Sequence, residues 1–485
     1  MKVVSAIVSQ VGAQKLSLRH RVAIALLCGI AWLPIAFVRG GYSWDDWVES
    51  VLTREEIRLN ARQLGRLFPL SSEAFLLGGS PAVRLVTVVA LAVTGLAVAE
   101  VVNRFGVLTK IEVVGVAFFT AVNPLDTAKS LISTAPYSWS LAFFFLGWFL
   151  ITSHRWWLLA FPLLFVSYDT NSLLFFSLLP LADLIFFGES WRHPLNRMKI
   201  AGLSLTVASF AVIRFAVRTP EGTYDGYNEV GLVGLVFLFV CLGGVVLLAV
   251  GLLRGRQVAR EVQSSGYLVA AIGILLVLVG LIPYLVDGQL PPYLGTRTRH
   301  YLLVGLGLGV LVVGLSRALA SLVRMRGSTR HFIVATVLVA LSFTWFNNFL
   351  ALHYWRFVDA VSGEIGSVDV QEGSLVIVSY EETWDVALSR RLGPNFADRW
   401  YVWTNLVDRD RRDSIFALNE EQLSDYLEGQ LRGAYGETDL LWGVPNFKPT
   451  TRATRLSLRS TGGVFGFFAD YEVSKSEVEV ALPVG

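Results

Sequence analysis

Charge is what this sequence has least of. Only 16% of its 485 residues are Asp, Glu, Lys or Arg, against about a quarter in a soluble globular chain. With 54% apolar residues, a water-soluble globule would leave much of its apolar surface in water, so a fold solvated by lipid is expected instead. Cysteine is nearly missing too. Cys28 and Cys241 are the only two, and both sit inside apolar runs, where a thiol behaves as a small buried hydrophobe. That excludes a disulfide framework. The net charge of +3 is too small to point to nucleic acid or to an acidic partner. The common catalytic signatures are absent as well: there is no GxxxxGK[ST] phosphate loop, no HExxH, no CxxC and no GxSxG.

What the chain does have is long apolar runs. A spanning helix needs about 20 mostly apolar residues. The windows 22–38, 83–102, 111–122, 138–152, 156–166, 172–187, 200–217, 230–253, 267–286, 301–315 and 332–351 qualify or come near, which gives roughly eleven spans. Those between 111 and 187 are short, and one pair of them could form a re-entrant hairpin. Lys15, Arg19, His20 and Arg21 precede the first window as in a signal peptide. "VRGGYSWDD" offers no small-x-small cleavage site, however, so the window is read as the first transmembrane helix.

Charge between the windows sets the orientation. Lys15, Arg19 and Arg21, Arg104 and Lys110, Arg155, Arg192, Arg197 and Lys199, Arg254, Arg256 and Arg260, and Arg317, Arg324, Arg326 and Arg330 all fall on the side of the N-terminus. By the positive-inside rule that side is cytoplasmic. The opposite segments, 39–81, 123–137, 167–171, 218–229 and 287–300, are richer in acids, aromatics, Pro and Gly, which places the chemistry outside. The expected fold is a polytopic α-helical membrane protein, with residues 1–351 as the transmembrane domain and an external loop at 39–82. An odd number of spans puts a small C-terminal α/β domain, 352–485, outside as well. In that tail "SLVIVSY" (374–380) reads as a buried strand. "NEEQLSDYLEGQL" (419–431) reads as a helix capped by Asn419, and "VFGFFADYEVSKSEVEVAL" as a terminal strand pair. "GLGLGV" (305–310) reads as close helix packing rather than a nucleotide loop.

Candidate chemistry gathers in the outer segments. Asp45 and Asp46 follow the first window, flanked by Trp44 and Trp47. Indole rings favour the headgroup level, so the acids would sit at the water–lipid boundary. There they can act as a base or bind a metal beside a substrate whose tail is in lipid, or form a plain polar loop start. Beyond them Arg54, Arg58, Arg62 and Arg66 recur every four residues, along one side of a helix lying in the interface. Asp126 and Lys129, three apart, either pair with each other or serve a site. Asp169 lies in a short turn where it is either a cap or a functional acid. Asp183, inside an apolar run, is expected to reach the interface or a polar partner. Arg297, Arg299 and His300 crowd the mouth of the tenth window, and arginine matches phosphate oxygens with a planar fork.

Together these pieces resemble the GT-C superfamily of glycosyltransferases. Its members are polytopic, carry an acidic motif in the first external loop, and many end in a soluble external domain. "SWDDW … GRLFPLSSEAFLLGG … NPLDTAKSLISTAPYSWSL" looks most like the bacterial O-antigen glucosyltransferases. That narrower likeness covers about the first third of the chain. The resemblance implies an enzyme of the bacterial inner membrane. Its donor would be a polyprenyl-phosphate-linked sugar and its acceptor a cell-surface glycan of lipopolysaccharide type. It further implies inverting transfer, with Asp46 or Asp45 as base and Arg297, Arg299 and His300, with Arg58 or Arg62, on the donor phosphate. Whether Mg or Mn joins the acids is left open by the resemblance, because members differ. Two other classes compete. A polysaccharide polymerase or ligase would carry a large external loop late in the membrane region. A transporter would carry inverted repeats and charged, broken helices at mid-membrane.

Overall fold

The computed structural model describes residues 16–38, 55, 67–68, 70–130, 132, 134–170, 172–186, 193–217, 265–286, 300–323, 328–367, 374–380, 415–419, 452–460 and 471–479. Most of these are helical: α1 (Leu18–Ala36), α2 (Leu70–Arg104), α3 (Lys110–Val122), α4 (Ala135–Ile151), α5 (Ala160–Ser167), α6 (Ser172–Phe176), α7 (Leu178–Phe186), α8 (Pro194–Val217), α9 (Gly266–Val286), α10 (Val304–Val323) and α11 (Ser328–Gly366). Short 3₁₀ turns lie at Thr127–Ser130 and Trp157–Leu159. Strands β1 (Ser374–Tyr380), β2 (Ile415–Asn419), β3 (Arg452–Ser460) and β4 (Tyr471–Glu479) follow.

Five stretches are long and apolar enough to cross a membrane: Leu18–Ala36, Glu73–Arg104, Gly266–Tyr284, Val304–Val323 and Thr329–His353. Large apolar side chains such as Leu26 and Leu33 on α1 and Leu338 and Val339 on α11 face outward. Acyl chains solvate such a surface, whereas water does not. The described residues therefore give five spans rather than roughly eleven. At 13 residues, α3 reaches about 20 Å, against a hydrocarbon core of about 30 Å. Its residues from Glu112 to Val122 are buried by neighbouring helices. The 172–187 window is two helices of 5 and 9 residues that part at Ser177. Hydropathy cannot separate these cases, because a helix buried by protein and one bathed in lipid are both apolar all round. The 230–253 window lies outside the described residues.

Glycine sets how closely the core helices approach. α9 and α10 run antiparallel with backbones nearly touching. A Cβ on Gly273 would stand 2.4 Å from the Leu311 nitrogen, and one on Gly307 would stand 2.3 Å from the Val277 nitrogen. The "GLGLGV" run packs two ways, with Gly307 against α9 and Gly305 and Gly309 against the backbone of α3. This is the small-residue packing that membrane helices use in place of a hydrophobic driving force.

Polar groups inside the bundle are matched to specific vacancies. Pro34 has no N–H, which frees the Ile30 carbonyl one turn earlier in α1. The Trp345 indole donates to that oxygen at 2.9 Å, and Asn348 Nδ2 donates to the Ala31 carbonyl at 2.8 Å. In this way α11 satisfies α1 where lipid could not. Arg317, one of the arginines expected in a cytoplasmic turn, is drawn inward. Its Nε and Nη2 donate to both carboxylate oxygens of Glu112 at 2.6 and 2.7 Å, joining α10 to α3.

Near Gly79 (φ 65, ψ −165) α2 departs from helical geometry, and Pro81 follows. The loop expected over 39–82 thus already turns helical at Leu70, with Leu77 fully turned outward. At the other end α11 continues past Ala351 to Gly366, so the polar tail begins inside a helix. The sheet order is β2-β1-β3-β4, with β1 parallel to both neighbours and β3 antiparallel to β4. Val376, Ile377 and Val378 of β1 are all buried, as a central parallel strand requires. The expected terminal pair is made differently: β4 pairs with β3, in a register that sets Arg452 opposite Glu479 and Arg459 opposite Glu472. Asn419, expected to cap a helix, ends β2. The helix expected beyond it lies outside the described residues.

Candidate functional site

The segment 39–66 carries the acidic pair and the four arginines. Both of its ends are fastened to the helix bundle. At the first end, Arg84 of α2 donates through Nη1 to the Val38 carbonyl at 2.7 Å. Ser80 Oγ lies 3.5 Å from the same oxygen. The Arg84 guanidinium stacks over the Trp355 ring of α11, 4.2 Å from its centroid. Asp359, one turn further along α11, feels that cation. Partial desolvation by its neighbours pushes its carboxyl above the usual carboxylate range, and the Arg84 charge opposes the rise. Arg84 is only 4% exposed, so its charge acts in a region where water screens little.

At the second end, the Leu67 amide donates to Asp169 Oδ1 at 2.7 Å, and the Phe68 ring packs edge-on to Phe165 of α5. Asp169 is thus an acceptor for backbone amide at the close of the acidic segment. Three residues on, Ser172 Oγ lies 3.2 Å from the Tyr284 hydroxyl, and the Tyr284 ring meets the His300 ring edge-on at 4.8 Å. The next carbonyl, Tyr301, accepts from Asn123 Nδ2 at 2.6 Å.

Asn123 begins the hook that carries the other charged pair. It takes a left-handed conformation, φ 38, which ends α3 as a C-terminal cap. Its carbonyl accepts the Asp126 amide at 2.9 Å. Lys129 Nζ folds back onto the C-terminal end of α3, donating to the carbonyls of Ala121 and Val122 at 3.0 and 2.9 Å, with Asp126 Oδ2 3.8 Å away. A cation at a helix C-terminus is favoured by the helix dipole. Burial pushes the Lys129 ammonium below its ordinary range, and Asp126 pulls it back. The pair thus closes the end of α3.

A chain of contacts therefore runs from Leu67 through Asp169, Ser172, Tyr284, His300 and Asn123 to Asp126 and Lys129. It lies at the same end of the bundle as the exit of α1. Of the residues singled out in the sequence, His300, Asp126, Lys129 and Asp169 are brought to this end. Asp45, Asp46, Arg58, Arg62, Arg297 and Arg299 lie outside the described residues. Among the described residues no three of His, Cys, Asp or Glu gather as a cation-binding group.

Sequence reasoning missed Arg84, Trp355 and Asp359. Arg84 carried a usable signal, a lone charge in "AVRLVTVV", since an ionisable residue in an apolar run needs a partner. Trp355 and Asp359 gave none, because only the continuation of α11 brings them to Arg84. A scan against protein-family models, a search of curated proteins and a search of solved structures each returned no match to this chain.

Proposed function

We propose that this chain is a membrane glycosyltransferase that moves a sugar from a polyprenyl-phosphate donor to a cell-surface glycan on the extracytoplasmic face. The observation that supports it is the double anchorage of segment 39–66. Arg84 holds the carbonyl before it and Asp169 the amide after it, at the end of the bundle where His300 lies. An acidic pair used as a base must be held against a fixed frame, because general-base catalysis depends on hydrogen-bond reach to the proton being moved.

In this reading Asp46 or Asp45 takes the proton of an acceptor hydroxyl. That oxygen forms a bond to the anomeric carbon as the bond to the donor phosphate breaks, inverting the centre. The phosphate leaves with its charge held by Arg297, Arg299 and His300, with Arg58 or Arg62. In this reading the chain lies in the bacterial inner membrane, with the N-terminus cytoplasmic and the sheet domain outside. The test is sugar transfer by purified protein in lipid, normalised to folded protein. One of Asp46→Asn and Asp45→Asn, with Asp46 the favoured base, should lose about 10²–10⁴-fold in turnover. Near-normal transfer by both variants would remove the acidic pair from the mechanism.

A further inference from the structure

The two faces of the sheet differ in a way that packing alone does not require. Directly opposed residues share a face, so the register sorts the side chains. On one face Val376 and Val378 of β1 and Leu456 of β3 join the buried core, with Val473 of β4 packed against it. Lys475 of β4, on the same face, meets Glu364 near the end of α11 at 2.9 Å. That face therefore lies against α11.

The other face changes character along its length. Ile377 and Ala453 are buried. Beyond Ile377, towards the carboxyl end of β1, Ser379 of β1, Ser457 of β3 and Ser474 of β4 stand side by side in register. Ser379 Oγ lies 3.1 Å from Ser457 Oγ, and Ser474 Oγ donates to the Ser457 carbonyl at 3.3 Å. Ser379 and Ser457 are half-buried and Ser474 is exposed. Arg455, half-buried, and Arg459, exposed, share this face of β3. Each stands two residues from Ser457, about 6–7 Å along the strand. Arg455 is opposite Ile377 and Ser476, and Arg459 is opposite Glu472.

β3 is an inner strand and runs parallel to β1. Such a strand normally reads as apolar on both faces, yet one face of β3 reads Arg, Ser, Arg. Its position adds a second observation. The chain passes from β1 to β2 on one side and returns to β3 on the other, so the strand order reverses at β1. In open α/β sheets ligands bind outside the carboxyl ends of the strands at such a reversal. Ser379 is the penultimate residue of β1, which sets the serine row at that end. Guanidinium forks match phosphate oxygens, and hydroxyls that both donate and accept match the hydroxyls of a sugar. The row spans about 10 Å across three strands, wide enough for a sugar ring. Glu472 offsets part of the positive charge, which suits a single phosphate group rather than a polyanion.

We propose that this face of the sheet binds a phosphorylated saccharide, with the phosphate on Arg455 and Arg459 and the ring hydroxyls on Ser379, Ser457 and Ser474. A neutral sugar would leave the arginines unused, and a bare phosphate would leave the serine row unused. The site belongs to the sheet and does not rest on the sugar-transfer reading.

Isothermal titration calorimetry of the purified full chain in neutral detergent, at low ionic strength, can compare glucose 6-phosphate with glucose, inorganic phosphate and phosphoserine. Glucose 6-phosphate should bind about tenfold more tightly than inorganic phosphate, the scale of one or two added hydrogen bonds, and more tightly than glucose. Arg455→Gln combined with Arg459→Gln should weaken glucose 6-phosphate and inorganic phosphate alike by about tenfold or more. Ser457→Ala should bring glucose 6-phosphate down towards inorganic phosphate and leave the latter unchanged. Melting temperatures in the same detergent report the folding of each variant, and Arg459→Gln alone, at an exposed position, should still cost several-fold. Undiminished binding by the folded arginine variants would overturn the proposal, as would glucose 6-phosphate binding no more tightly than inorganic phosphate. Phosphoserine binding as tightly as glucose 6-phosphate would overturn the saccharide as the ligand.

Discussion

Replacing Arg84 with lysine keeps a positive charge and removes a plane. In the native arrangement the guanidinium does two things: it donates to the Val38 carbonyl at 2.7 Å and lies over Trp355 at 4.2 Å. A hydrogen bond from a charged donor is worth about 1.5–3 kcal/mol, and a cation over an indole about 0.5–2 kcal/mol. Arg84→Ala forfeits both and leaves Asp359 without its nearby cation. The expected loss is therefore about 2–5 kcal/mol in unfolding free energy. Arg84→Lys can recover part of the hydrogen bond but not the stacked geometry, so about 1–2 kcal/mol should be missing. A double-mutant cycle with Trp355→Leu isolates the stacking, with an expected coupling of about 0.5–2 kcal/mol. The assay is unfolding of purified protein in mixed micelles, run beside sugar transfer per folded molecule. Under the proposed sugar transfer, Arg84→Ala should lower turnover more than it raises the KM for donor, because it loosens the base of the acidic segment without touching the arginines proposed for the phosphate. A coupling of zero, with Arg84→Ala as stable as the native chain, would refute the clamp.

Gly307→Leu should separate α9 from α10 and sharply reduce the yield of folded protein on size-exclusion chromatography, since its Cβ would meet the Val277 nitrogen at 2.3 Å. Gly363→Ala in α11, where a Cβ meets nothing within 4 Å, should instead stabilise by about 0.5–1 kcal/mol in the same unfolding assay. Glu112→Ala should cost about 3–5 kcal/mol by stranding Arg317, and the paired replacement Glu112→Leu with Arg317→Met should restore most of it. For Asp359 the folded carboxyl lies above its ordinary range. Its contribution to stability is therefore fully present below about pH 4 and is lost as pH rises through the folded value. A pH series of melting temperatures should show Asp359→Asn losing less stability than the native chain over that rise.

Composition and periodicity determined the broad class, because they report directly on solvent. A chain this poor in charge has to be solvated by lipid, and α1, α2, α9, α10 and α11 each fall over one of the expected apolar windows. Strand β1 was legible for the same reason, since a short β-branched run has no other use in a polar tail. The expected polar partner of Asp183 is present, in the form of Arg104 and Trp148. What periodicity could not report was which apolar helices face lipid and which face protein. That left α3 and the broken α6–α7 pair counted as spans. Strand β3, "RATRLSLRS", was missed because its arginines hide the alternation until β4 supplies facing acids.

The candidate site divides along the same line. Residue type and loop position drew attention to Asp126, Lys129, Asp169 and His300, but sequence alone left each of the first three with two readings. Only the tertiary structure turned Lys129 back onto the end of α3 and set Asp169 against the Leu67 amide. These are contacts between residues 8 and 102 positions apart, and nothing local encodes the longer of them. The sequence by itself determined that this protein belongs in a bilayer, because transfer of apolar surface is a sum over residues and needs no geometry. The tertiary structure alone decided which charges close the bundle and which fasten the acidic segment, because a charge acquires its role from the partner that burial brings within hydrogen-bonding distance.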